Sequence, residues 1–204
     1  AVRQAINDNI EHLINYPDTE VAELRHEIAC FYNVDYDELV VGNGAVELLY
    51  LLCHMLRPIK AIIPVPSFSE YERAARAAKI KVDYVYLSEA MDFKVNIQDI
   101  SNKLTQNSIV LLGNPNNPTG ALLSVAEIMP LLNTAKTKNT IVVMDESFMD
   151  FIVNSEDYTC RNLIKKYPNL VILNSLTKFY AIPGLRLGFA VMNTILAKQV
   201  VESK

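Results

Sequence analysis

The sequence predicts an α/β protein: a doubly wound, mostly parallel sheet in a three-layer arrangement. Two observations carry the prediction. Short apolar runs alternate with amphipathic stretches along the 204 residues, the order expected of strands joined by crossover helices. Several of those runs are apolar at every position, as strands covered on both faces must be. A composition that is 50% hydrophobic supplies a core of the size such a sheet needs.

In chain order, strands are expected at residues 61–65, 81–87, 109–112, 140–144, 170–174 and 188–192, each a run of four to seven residues rich in Val, Ile, Leu or Tyr. Helical periodicity appears at residues 46–56, 69–78 and 124–137, with a short stretch at 161–167. Ser124 followed by Glu127 reads as a capping box, although Pro130 interrupts the interior of that helix. Upstream, Val21, Leu24, Ile28 and Phe31 share one helical face, with Asp18, Glu20 and Glu23 at its amino end, where the helix dipole favours acids. Residues 1–41 are accordingly read as a helical segment packed on a large domain of residues 42–204. Residues 194–204 look like a helix that the chain does not complete. A larger protein is expected, with a C-terminal domain beyond these residues.

Charge and spacing exclude other classes. The 23 acids and 19 bases are interspersed, which leaves no basic footprint for nucleic acid. No apolar run is long enough to span a bilayer, so no membrane role is expected. The first residues also lack the pattern of a signal peptide, and a cytoplasmic location is expected. Cys30, Cys53 and Cys160 are an odd count without paired spacing, as expected of reduced thiols. His12, His26 and His54 form no metal-ligand spacing, and no metal is expected.

Reactive groups gather in segments at strand ends and helix starts. Ser175 to Arg186 joins the Lys178 amine, the hydroxyls of Ser175 and Thr177 and the Arg186 guanidinium just past the 170–174 strand. That set suits an aldehyde cofactor carrying a phosphate, and the carboxyl edge of an open α/β sheet is where ligands bind. Gly42-Asn43-Gly44-Ala45 runs into an apolar helix, whose free amides can hold phosphate oxygens; a plain glycine turn capping the helix is the competing reading. Phe68 after Pro66-Ser67 either stacks on a flat heterocycle or fills the core. Gly113 to Gly120 is dense in turn formers, with Asn117-Pro118 a candidate cis bond.

Asp145-Glu146 ends a buried strand, where a carboxylate needs a cationic or protonated partner. A pyridine nitrogen is one such partner, because a carboxylate beside it raises its pKa. A structural salt bridge explains Asp145 equally well. Glu146 is expected to serve a structural hydrogen bond.

Taken in this order, the segments resemble the fold-type I pyridoxal-phosphate enzymes, the aspartate aminotransferase superfamily, from Tyr16-Pro17-Asp18 to about Met192. The resemblance implies pyridoxal 5'-phosphate as cofactor, Lys178 as the lysine that carries it, Asp145 as the partner of its ring nitrogen and Asn117 as the donor to its phenolic oxygen. It implies Phe68 at the ring-stacking position. Gly44, Ala45, Ser175, Thr177 and Arg186 match the phosphate cup, Arg186 being suited to a bidentate contact. It also implies a homodimer with shared active sites, because a tyrosine at the position of Tyr16 reaches the phosphate of the partner subunit. The arginine that reads the substrate carboxylate belongs, in the superfamily, to a C-terminal small domain outside these residues.

Within the superfamily, the run from Ser175 to Gly188 is closer to the threonine-phosphate decarboxylases of the cobalamin pathway than to the histidinol-phosphate aminotransferases. Aminotransferases of this branch carry a tyrosine three positions after the aspartate, where this chain has Phe148. The expected reaction is decarboxylation of L-threonine O-3-phosphate to (R)-1-amino-2-propanol O-2-phosphate. Transamination of histidinol phosphate is the alternative, since the same residues around the cofactor serve either bond cleavage. A third reading is a pyridoxal-phosphate-binding regulatory module, which an intact Lys178 does not exclude.

Overall fold

In the computed structural model, which describes residues 2–204, seven strands form one sheet. They are β1 (Leu39–Gly42), β2 (Lys60–Val65), β3 (Lys81–Tyr86), β4 (Ser108–Gly113), β5 (Ile141–Asp145), β6 (Leu170–Ser175) and β7 (Gly188–Met192). Their order across the sheet is β1-β7-β6-β5-β4-β2-β3. β7 runs antiparallel to both β1 and β6, and every other pair is parallel. The mostly parallel doubly wound sheet expected from the sequence is present. β1 was not legible beforehand; it spans the boundary drawn at residue 41, so Leu39–Gly42 belongs with the sheet.

Helices cover both faces. α3 (Ala45–Leu56), α4 (Ser69–Ala77) and α8 (Thr194–Glu202) bury Leu48, Leu52, Ala74 and Val200 on one side, against Ile63, Leu111, Val143 and Leu173. On the other, α2 (Ala22–Tyr32), α5 (Ile97–Lys103) and α6 (Val125–Thr137) bury Ile28, Ile100, Leu131 and Ala135 against Val110, Leu112, Met144 and Ile172. Alternate residues of each strand serve opposite cores, the period-two geometry of extended chain. α6 begins at the expected capping box, in which Ser124 and Glu127 bond each other's backbone amides, and it continues through Pro130.

Three local expectations change. The inward stripe of α2 is Leu24, Ile28 and Tyr32 rather than one ending at Phe31, which stays 68% exposed. Steps of four residues hold one helical face, and Tyr32 meets Phe189 with ring centroids 4.9 Å apart. The stretch at 161–167 makes only a 3-10 turn, Arg161–Leu163, because Pro168 disfavours helical backbone at the residue before it. Further upstream, α1 (Val2–Asp8) and the 3-10 turn Ile10–Ile14 bury no side chain, so the docked part of the N-terminal segment is α2.

Candidate active site

Strand register brings the reactive segments to one edge. Gly42 pairs with Gly188, which also pairs with Ser175; Leu173 pairs with Asp145, and Asp145 with Gly113. The loops that follow β1, β2, β4, β5 and β6 therefore open on the same side, together with the start of β7. Between them lies a cavity of about 590 Å³, mouth included, lined by Ala45, Phe68, Asn117, Asp145, Ser175, Lys178 and Arg186 among others.

Lys178 lies on α7 (Leu176–Phe179), a single turn directly after β6. Its Nζ is 3.2 Å from Ser175 Oγ and 5.6 Å from the centre of the Phe148 ring. Burial holds its ammonium below the ordinary value; Asp145 opposes that shift and Arg186 adds to it. A lysine that gives up its proton more readily is a better nucleophile toward a carbonyl. Asp145 accepts from the Tyr71 hydroxyl at Oδ2 (2.9 Å) and from the Ser147 amide at Oδ1 (3.0 Å).

Opposite the carboxylate, small residues make room for the guanidinium. A Cβ at Gly44, whose φ is +85°, would meet an Arg186 terminal nitrogen at 2.8 Å. A Cβ at Gly188 would meet the Gly44 carbonyl carbon at 2.7 Å. Gly188 thus lets β7 pack against the loop before α3, while Gly44 leaves room for Arg186. The Ala45 and Val46 backbone opens α3 at the cavity wall, where helix amides lack intrahelical acceptors. Thr177 is off the wall; its hydroxyl bonds Ser175 Oγ at 2.8 Å and orients it.

The turn-rich loop is held by its own asparagines. Asn114 bonds the backbone of Leu123 and Tyr158, and Asn116 bonds Pro66 O and Thr119 Oγ1. The bonds Asn114-Pro115 and Asn117-Pro118 are cis. Asn117 is left facing the cavity.

Comparison with known proteins identifies the arrangement. A profile of the family described as aminotransferase class I and II matches residues 1–203. The chain belongs to that family. A Caldanaerobacter subterraneus subsp. tengcongensis protein, provisionally named a threonine-phosphate decarboxylase, is 36% identical over 192 residues, covering 94% of this chain and 52% of that one. The solved histidinol-phosphate aminotransferase of Clostridium acetobutylicum superposes with a TM-score of 0.88 at 31% identity, over 98% of this chain and 59% of that one. The L-threonine-O-3-phosphate decarboxylase of Porphyromonas gingivalis gives 0.82 at 30%, over 98% and 58%. The chain spans about half the length of the curated relatives it matches.

Class I and II aminotransferases and their decarboxylase relatives are fold-type I enzymes, and the cofactor is pyridoxal phosphate. The residues present fit it. A softened amine, a guanidinium seated on a glycine, helix-start amides and a carboxylate with spare lone pairs are the donors and acceptors that an aldehyde, a phosphate and a pyridinium require.

Some residues at the cavity escaped sequence reading. Tyr71 looks like a core residue of α4, and only its distance to Asp145 reveals more. The Ser147 amide and Leu173 carry no sequence signal of their own. Conversely, Tyr16 is fully exposed and off this chain's cavity. Among the described residues no cluster of three metal-ligating side chains occurs, and no helix is long and apolar enough to cross a membrane.

Proposed function

We propose that the protein decarboxylates L-threonine O-3-phosphate. The observation that carries this reading is Phe148, which lines the cavity 5.6 Å from Lys178 Nζ and offers no hydroxyl where aminotransferases of this branch have one. The 36% identical relative supports it. Bound pyridoxal phosphate supplies an electron sink for the pair left by a bond broken at the amino-acid α-carbon.

The chain's own residues supply the rest. Arg186, Ser175 and the Ala45 and Val46 amides would hold the phosphate, Phe68 would cover one ring face, Asn117 would donate to the phenolic oxygen, and Asp145 would keep the ring nitrogen protonated. Lys178 would hold the cofactor through its amine and yield that place to the substrate amine, which leaves the lysine side chain free as an acid-base group. Decarboxylation would require the site to orient the substrate so that the bond to its α-carboxylate is the one that breaks, releasing carbon dioxide. Lys178 would deliver a proton to the α-carbon in place of the departed carboxylate, giving (R)-1-amino-2-propanol O-2-phosphate. Tyr16 is assigned to the phosphate of a second copy in a homodimer.

Transamination of histidinol phosphate is the rival, favoured by the TM-score of 0.88 to an enzyme of that name. The deciding experiment gives the full-length protein with pyridoxal phosphate either threonine phosphate, or histidinol phosphate with 2-oxoglutarate. Carbon dioxide release without pyridoxamine phosphate is expected; glutamate formation overturns the reading.

A further inference from the structure

We propose that Tyr71 is a positioning residue for Asp145, clamping the carboxylate so that its free lone pairs point at the cofactor ring. The proposal rests on the assignment of Asp145 to the ring nitrogen. It stands on three observations.

First, the two oxygens of Asp145 are held by donors from different segments. The Tyr71 hydroxyl reaches Oδ2 at 2.9 Å, and the amide of Ser147 reaches Oδ1 at 3.0 Å. One donor on each oxygen fixes the plane of the carboxylate and leaves one acceptor direction per oxygen for the cavity. Second, Tyr71 is 3% exposed and is itself braced. The Phe68 ring meets it edge-on, at 5.7 Å between centroids and 88° between planes. The cavity's aromatic wall and the clamp on its carboxylate are thus one packed unit at the start of α4. Third, the reach depends on Gly113, the register partner of Asp145. A Cβ there would stand 3.1 Å from the Tyr71 hydroxyl, closer than ordinary contact, so a side chain at this point of β4 would press the phenol away from the carboxylate.

The chemical consequence has a direction. A neutral donor on a carboxylate oxygen fixes the direction in which its remaining lone pairs point. Burial and the facing Asp145 hold the phenol's own proton far above the ordinary tyrosine range, so Tyr71 stays a donor wherever the protein is folded. Without it, Asp145 is freer to turn away from the ring nitrogen.

The test uses the full-length protein loaded with pyridoxal phosphate, and the variants Tyr71→Phe, Asp145→Asn and both together. Expected for Tyr71→Phe are a shift of about one unit in the pH midpoint of the cofactor's visible band and a roughly tenfold fall in kcat with little change in KM. On the Asp145→Asn background the same change should add nothing. Should Tyr71→Phe fail to fold, Gly113→Ala presses on the hydroxyl with the phenol retained, and the band midpoint should move the same way by less. A variant altered only in melting temperature, or effects that add in the double variant, overturns the role of Tyr71 alone. An Asp145→Asn protein with an unchanged band midpoint removes the ring-nitrogen assignment and the proposal with it.

Discussion

Asp145 and Glu146 are consecutive residues at the end of β5, yet they face opposite sides of the sheet. Asp145 lines the cavity and is held only at its outer edges, by Tyr71 and Ser147. Glu146 is fully buried, and both of its oxygens are taken: Thr159 Oγ1 donates at 2.6 Å and the Cys160 amide at 2.7 Å. Arg161 stands 3.8 Å away, with its guanidinium over the Tyr32 ring, and Tyr32 donates to Asp150. Strand alternation has sent one carboxylate to a cavity and the other to a closed network. A carboxylate enclosed by its own chain is structural; one whose remaining lone pairs face an open cavity has capacity left for a ligand.

The contrast can be broken in three places. The largest effect should come from Glu146→Ala, which strands the buried Arg161 and orphans the Thr159 hydroxyl and the Cys160 amide. A loss of about 3–5 kcal/mol is expected in urea unfolding; a loss below about 1 kcal/mol would make the two carboxylates alike.

Next, Asp145→Asn should leave unfolding free energy within about 1 kcal/mol of the parent. Its kcat should fall by a factor on the order of 10²–10³, as when a preorganised charge partner is removed. Steady-state kinetics beside a melting curve separates the two.

The smallest effect is a slope with pH. Burial raises the Glu146 carboxyl from 4.5 to about 7, against the opposing pull of Arg161. The folded state therefore binds the proton more tightly than the unfolded one. Its stabilising contribution is complete below the unfolded value and is lost as pH rises through about 7. Between those limits the group should cost at most about 1.4 kcal/mol per pH unit. Glu146→Gln should flatten that part of the stability profile of the cofactor-free protein.

Much of the fold was legible because a sheet covered on both faces needs apolar residues at every strand position, a signal confined to five or six neighbours. The residues at the cavity were legible for a related reason: Lys178, Asp145 and Asn117 each follow such a run, and a parallel sheet collects its carboxyl ends on one edge. What escaped lacks a local signature. β1 is four residues long and borrows its identity from pairing with β7. Phe31 and Tyr32 are adjacent aromatics, and only the docking of α2 chose which one turned inward. Tyr71 could not be told from a core tyrosine until Gly113 and Asp145 stood beside it.

The sequence by itself determined the class of fold, the edge where chemistry gathers and the cofactor its residues resemble a site for, because strand periodicity and residue chemistry act over a few neighbours. Only the tertiary structure decided which partners close around Glu146, that Gly44 makes room beside Arg186, and that a phenol on α4 reaches across β4. Those outcomes depend on register between strands distant in the chain, and register is set by the packing of the whole sheet.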